Sequence, residues 1–172
     1  MVFTNILNRL KRLLRKDLEV FSELRRDESA NVEALLIVVV TSVLAGLVAL
    51  INGSNALSIV FTILSGIVIS WLGWSWFTTL LLTNLYGVNA EFWQVARLLG
   101  YATLPMILVL AGLLGCLGSL VASLAWIGVL VAGVFAIREG YQLATEKAII
   151  AVIVGWAAIL VFNLLIKLVL PF

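Results

Sequence analysis

The residues best suited to chemistry in this chain are polar side chains that flank its apolar stretches. They are Glu91, Arg97, Tyr101, Arg138, Glu139, Tyr141, Glu146 and Lys147. Such a cluster would bind an ion or a lipid headgroup, or it would cap helix ends and fix the topology. We favour the second interpretation because charges at this depth tend to pair or to reach the interface. Arg97 and Glu139 would meet if their helices are antiparallel neighbours.

The sequence lacks the usual catalytic machinery. It contains no His and a single cysteine, Cys116, so histidine triads and ordinary zinc or haem sites are not expected. No GxSxG, P-loop or HExxH motif occurs. We therefore predict no enzymatic activity, no metal and no cofactor. A net charge of only +2 gives no indication of nucleic-acid binding.

Apolar helices must position these residues. The composition is 63% hydrophobic with a mean hydropathy of +1.19, and no charged residue occurs from Ala34 to Tyr86. About 20 apolar residues cross a bilayer as a helix, whereas a β-barrel needs alternation at period two. The sequence predicts an all-α polytopic membrane protein in which residues 32–172 form one domain. The five predicted transmembrane helices are 34–51, 56–85, 98–114, 119–137 and 148–170.

The second of these stretches is unusually long. At about 1.5 Å per residue, residues 56–85 exceed a hydrocarbon core of about 30 Å, so the helix must tilt, bend or project. Gly66 and Gly73 are the predicted flexible points. Trp71, Trp74 and Trp76 are expected at the membrane interface, which tryptophan prefers.

Residues 1–31 are predicted to form a cytoplasmic amphipathic tail. Apolar residues recur at three- and four-residue spacing through residues 2–26, which predicts a single surface helix. Asp17 interrupts the apolar stripe. The helix either lies on anionic lipid headgroups or packs on the bundle or on a second chain. The residues predicted to contact the lipid surface are Arg9, Lys11, Arg12, Arg15 and Lys16.

The distribution of charge predicts the orientation. The tail, Glu33 just after it, and the connections 86–97 and 138–147 hold every charge except Lys167. With five spans these three regions share one side, which the excess of Lys and Arg in the tail assigns to the cytoplasm. The C-terminus is then on the opposite side of a prokaryotic inner membrane.

Polar and small residues within the spans predict helix contacts. Asn163 is expected to make an intramembrane polar contact with another helix or with a lumen. Small residues at four-residue spacing, as in Ser42–Gly46 and Gly66–Ser70, indicate close packing. We favour packing within one chain over packing between copies.

Two segments resemble the membrane domain of the Yip1 family. Residues 96–105, ARLLGYATLP, are similar to its Gly-Tyr-small-x-x-Pro signature, and residues 137–148, IREGYQLATEKA, are similar to its connection before the last helix. The matching residues are Arg97, Gly100, Tyr101, Pro105, Arg138, Glu139 and Lys147. Within the first motif, Pro105 predicts a helix kink that frees the carbonyl of Tyr101, and Gly100 permits close approach beside it.

The resemblance implies five spans and a cytoplasmic N-terminus. Eukaryotic members bind Rab-type GTPases and act in vesicle traffic and membrane shaping, whereas prokaryotic members have no clear assigned activity. The chain has Asn84-Leu85-Tyr86-Gly87 in place of the eukaryotic Asp-Leu-Tyr-Gly-Pro motif, and its short tail resembles the prokaryotic form.

The predicted function is a non-enzymatic role in membrane organisation or in scaffolding of protein partners. The expected partners are membrane lipids, including anionic headgroups, and proteins or further copies of this chain. One alternative is a small-solute or ion transporter or channel, with Arg97, Glu139 and Asn163 along its path. Another is a membrane enzyme that modifies lipids.

Overall fold

A computed structural model describes residues 2–15, 17–114 and 116–169, without the side chains of residues 114, 116, 117, 119 and 167–169. Every regular element in these ranges is helical. In chain order they are α1 (Val2–Leu14), α2 (Glu19–Arg26), α3 (Ala30–Ile51), α4 (Ala56–Ser65), a π-helical segment (Gly66–Gly73), α5 (Trp74–Asn84), α6 (Phe92–Ala102), a 3-10 segment (Leu104–Leu114), α7 (Cys116–Tyr141) and α8 (Thr145–Val169).

Five of the described helical stretches are long and apolar enough to cross a membrane. They are α3, α4 continued through the π-helical segment into α5, α6 with the 3-10 segment, α7 and α8. The prediction of an all-α protein with five transmembrane helices is therefore confirmed.

The prediction of a single helix over residues 2–26 is wrong, because the chain turns between α1 and α2. Asp17 lies at the break. Its carboxylate accepts hydrogen bonds from the backbone N–H of Glu19 at 3.2 Å and from Nε of Arg12 at 2.7 Å. A short polar side chain that bonds to the nearby backbone competes with the helix in this way.

The two N-terminal helices are packed to different degrees. α2 contributes Val20, Phe21 and Leu24 to the hydrophobic core and packs against α6 and α7. α1 has no fully buried residue. The amphipathic segment was expected either to lie on lipid or to pack on the bundle or a second chain, and α2 packs on the bundle.

The long second span is accommodated by a change of helix type between Gly66 and Gly73, the two residues predicted to be flexible. Gly66 lies against α3, where an added Cβ would be 2.7 Å from Oγ of Ser42. This is a close contact of small residues within one chain, as the spacing indicated. Trp71 and Trp74 are buried in the bundle, whereas Trp76 is exposed. The location of the three tryptophans at the membrane interface remains a prediction.

The third span also changes helix type, at the position of the predicted kink. α6 ends at Ala102, and Pro105 is the second residue of the 3-10 segment. Proline is tolerated there because the first N–H groups of a helix have no partner within it. The backbone N–H of Met106 donates to the carbonyl of Thr103 at 2.9 Å. The predicted kink within one α-helix is thus replaced by a junction between two helices.

Contacts between distant residues bring the polar connections together at one end of the bundle. Tyr101 of α6 contacts Glu33 of α3, and Lys147 of α8 lies 5.6 Å from the ring centroid of Tyr86. We call this the charged end. The tail and the connections 86–97 and 138–147 meet there, and the compartment that this end faces remains a prediction.

Candidate functional site at the charged end

The centre of the charged end is the carboxylate of Glu33, one turn into α3 and 1% exposed. It accepts hydrogen bonds from the hydroxyl of Tyr101 and from the guanidinium of Arg9. Arg9 also forms an ion pair with Asp27, which precedes α3. A carboxylate buried at this depth requires such partners. The three bonds connect α1, α3 and α6.

Gly100 explains how Tyr101 reaches the carboxylate. A Cβ at Gly100 would lie 2.7 Å from Cβ of Ala34 and 3.3 Å from its Cα, so the two backbones approach more closely than any larger residue allows. The adjacent Tyr101 is thereby placed beside Glu33, the neighbour of Ala34. The Gly-Tyr pair of the motif thus acts as one structural unit.

The electrostatics around Arg9 keep both partners of its ion pair charged. Burial by itself would lower the pKa of Arg9, but the hydrogen bond to Asp27 and the charge of Glu33 outweigh it and raise the pKa. The pKa of Asp27 falls below its ordinary value of 3.8, mainly because of the hydrogen bond from the hydroxyl of Ser29 and also because of the bond from Arg9. Together these bonds outweigh the opposing effect of burial.

A second group of contacts, centred on Arg25 of α2, joins that helix to α6 and α7. Its guanidinium donates to the carbonyl of Gly140 at 3.2 Å and to Oε1 of Gln94 at 3.3 Å. It also lies 4.3 Å from the ring centroid of Tyr141, whose hydroxyl donates to the same Gln94 oxygen at 3.2 Å. α2 is therefore fixed on the bundle by polar contacts as well as by its apolar face.

Arg97 is the least compensated charge of the site. It is 4% exposed, and its Nη2 donates to the backbone carbonyl of Arg25 at 2.8 Å. Its Nε has no hydrogen-bond partner among the described residues. The expected contact with Glu139 is not formed, because Glu139 accepts from Nε of the adjacent Arg138 at 2.9 Å. The buried cation is thus held by a neutral carbonyl.

The remaining motif residues have separate positions. Arg138 lies 5.0 Å from the ring centroid of Phe135, and Lys147 is exposed beside Tyr86. Pro105 lies on the other side of Thr103 and packs on α7, where a Cβ at Gly128 would be 2.9 Å from Cβ of Pro105. The Gly-Tyr-small-x-x-Pro motif therefore makes two helix contacts. Gly100 and Tyr101 contact α3 at the charged end, and Pro105 contacts α7 away from it.

The structure restricts the predicted lipid contact of the basic residues. Arg9 faces the bundle, and Arg12 forms two hydrogen bonds to Glu23 at 2.7 and 2.8 Å as well as its bond to Asp17. The bond to Glu23 raises the pKa of Arg12 and lowers that of Glu23. Lys11 and Arg15 are exposed, and their contact with lipid remains a prediction. Lys16 lies outside the described residues.

Asn163 was expected to contact another helix or a lumen, and its hydrogen bonds among the described residues do not reach another helix. Its Nδ2 donates to the carbonyl of Ile159, on the same helix, at 2.9 Å. Its side chain lines a cavity of about 350 Å³ between the spans. The described lining of that cavity includes neither Arg97 nor Glu139, so the three residues of the transport alternative do not share a path there.

Three residues that organise the charged end, Glu33, Arg25 and Asp27, are absent from the sequence-based site predictions. The available signal was an acid placed directly before a long apolar run, at Glu33. Its partners cannot be read from the sequence because Arg9 is 24 positions away and Tyr101 is 68 positions away.

The fold and the charged end together define an integral membrane protein of five helices with an N-terminal helical pair docked on one end. The Yip1 domain family model matches residues 11–166, which confirms the resemblance in the two motifs. The chain belongs to the Yip1 domain family. Comparisons with curated proteins and with solved structures give no match.

Proposed function

We propose that this protein acts without catalysis, organising the membrane or scaffolding protein partners through its N-terminal helical pair at the charged end. Membership in the Yip1 family supports a non-enzymatic role. The observation that carries the proposal is an uncovered apolar stripe on α1, next to the ion pairs that hold this helix in place.

α1 has two apolar edges with different surroundings. Ile6 and Leu13 pack against the core. Phe3, Leu7 and Leu14 are 73%, 40% and 77% exposed. Because residues separated by three, four, seven or eleven positions share a helix face, these three side chains form one stripe. We call it the α1 stripe, and it is available to lipid or to a partner.

The charges around the α1 stripe support contact with an anionic surface. Lys11 and Arg15 are exposed and lie along one edge of the stripe by helical spacing. A helix with an apolar face and a basic edge binds at the headgroup boundary. The bonds of Arg9 to Asp27 and Glu33 fix the rotation of α1, so the stripe cannot turn inward without breaking them.

The placement of charge supports a cytoplasmic N-terminus in a prokaryotic inner membrane. The tail contains seven Lys and Arg residues, and short segments of this kind stay in the cytoplasm. The charged end, with the α1 stripe, would then face the anionic inner leaflet and any cytoplasmic partner, including a second copy of the chain.

Photo-cross-linking in native membranes tests the proposal. A benzoylphenylalanine at Leu14 is expected to cross-link to lipid, which supports membrane organisation, or to a discrete protein, which supports scaffolding. The same group at Asn8, which is also exposed on α1 but lies off the stripe, is the matched control. A cross-linking pattern at Leu14 that equals the pattern at Asn8 would refute a functional role of the stripe.

A further inference from the structure

A cavity between the spans lies where two of them change helix type. The π-helical segment contributes Gly66, Ser70 and Trp71 to its lining, and the junction after α6 contributes Thr103. Irregular helices inside membrane bundles often border binding sites. The volume of about 350 Å³ lies within the range of about 300–1,000 Å³ typical of small-molecule sites.

The polar groups of the cavity wall are neutral, and their hydrogens are largely committed to backbone carbonyls. No charged residue occurs in its described lining. Six hydroxyls line it, and four of them donate to a carbonyl of their own span, namely Thr41, Thr62, Ser65 and Thr103. A hydroxyl that donates its one hydrogen retains acceptor lone pairs. The wall is therefore rich in acceptors.

Four indoles and one amide complete the polar wall, and two of the indoles have hydrogen-bond partners in other spans. Nε1 of Trp71 donates to the carbonyl of Ala96 at 2.9 Å, and Nε1 of Trp74 donates to the carbonyl of Val152 at 3.1 Å. Both therefore contribute ring surface to the cavity. Asn163 uses one N–H on the carbonyl of Ile159, which leaves its own carbonyl and its second N–H for a ligand.

The cavity is only partly enclosed by the spans. Trp126 of α7 and Leu160 of α8 both line it and are 44% and 47% exposed. α4 packs on α3 and has no extensive contact with α8. A molecule dissolved in the bilayer can therefore enter between these helices without passing through water.

We propose that this cavity binds a neutral amphiphile from the bilayer, composed of a hydrocarbon chain and a hydroxyl group. The hydroxyl donates to an acceptor oxygen of the wall, foremost the carbonyl of Asn163, and the chain lies against the tryptophan rings. A charged headgroup is excluded because no counter-charge lines the site and a bare charge in this environment is costly. This inference is independent of the proposed role of the α1 stripe.

Tryptophan quenching in lipid nanodiscs measures the binding directly, because four of the six tryptophans line the cavity. The probe is a long-chain alcohol brominated near the end of its chain, and the matched probe is its methyl ether. We expect saturable quenching by the alcohol and about fivefold weaker binding of the ether, which lacks the hydrogen-bond donor. Equal binding of the two probes would overturn the assignment of a hydroxyl ligand.

Two variants locate the binding site. Ser65→Phe fills the cavity and is expected to abolish saturable quenching, whereas Leu64→Phe, at an exposed neighbour outside the lining, leaves it unchanged. Asn163→Ala is expected to reduce the affinity for the alcohol to that for the ether. If Ser65→Phe does not fold, Asn163→Ala carries the test alone. Unchanged alcohol binding in Asn163→Ala would overturn the proposal.

Discussion

The charged end and the cavity between the spans differ in where their polar groups find hydrogen-bond partners. At the charged end the bonds join elements far apart in the chain, as between Arg9 and Glu33 or between Arg25 and Gly140. Around the cavity the hydroxyls bond within their own span, as Thr62 does to Ser58.

This difference separates structural from available polar groups. An unpaired backbone or side-chain group in hydrocarbon costs several kcal/mol, so both regions pair most of their donors. Bonds between helices fix those helices relative to each other. Bonds within a helix satisfy the donor but leave the space between helices open, and this makes the cavity the better candidate for a ligand.

Removal of Glu33 should cause the largest loss of stability. Glu33→Ala leaves Arg9 and Tyr101 without their shared acceptor, and breaking a buried ion pair typically costs about 3 kcal/mol or more. Thermal unfolding in mild detergent should show this loss of stability. Glu146→Ala, at an exposed acid in the first turn of α8, should change stability by less than about 0.5 kcal/mol. Equal effects of the two substitutions would contradict the central role of Glu33.

Disturbing the close approach of α3 and α6 should cause the next largest loss of stability. Gly100→Ala places a methyl group 2.7 Å from Cβ of Ala34, and such overpacking costs about 1–3 kcal/mol. At Gly112, away from the charged end, the nearest atom to an added Cβ is 3.7 Å away, so Gly112→Ala should fold with nearly unchanged stability. Unfolding curves of the two variants distinguish them, and a tolerated Gly100→Ala would show that the backbones need not approach so closely.

Trp71 belongs to the cavity wall, but unlike the hydroxyls it donates a hydrogen bond to another span. Trp71→Phe removes the bond to the carbonyl of Ala96 and should cost about 1 kcal/mol of unfolding free energy. The control is Trp76→Phe, since Trp76 is exposed and should be neutral. A neutral Trp71→Phe would indicate that the bond does not contribute to holding α6 in place.

Acidification has the smallest expected effect and acts on the charged end alone. The folded protein lowers the pKa of Asp27 and Glu23 below their ordinary values of 3.8 and 4.5. Their contribution to docking is therefore present above those values and lost as the pH falls through the lowered pKa values. Hydrogen exchange of α1 should increase in that range, and binding at the uncharged cavity should not change. Loss of α1 protection already at neutral pH would contradict this assignment.

The sequence predicted the features that depend on local composition. The five spans follow from hydropathy, and Gly66 and Gly73 mark the change of helix type in the second span. The pairing of Arg9 with Glu33 was not predictable, because nothing in the spacing of two charges specifies their contact across the fold. The cavity was also missed, since it arises where irregularities of two separate spans meet.

Site-directed spin labelling tests the central claim, that α1 is docked on the charged end with its stripe facing outward. Labels at positions 6 and 7 are placed in a Cys116→Ser background and reconstituted in vesicles that contain phosphatidylglycerol. We expect the label at Ile6 to be protected from both oxygen and a water-soluble nickel complex, and the label at Leu7 to be reached by oxygen from the lipid. Equal access of the nickel complex to both labels would contradict the central claim.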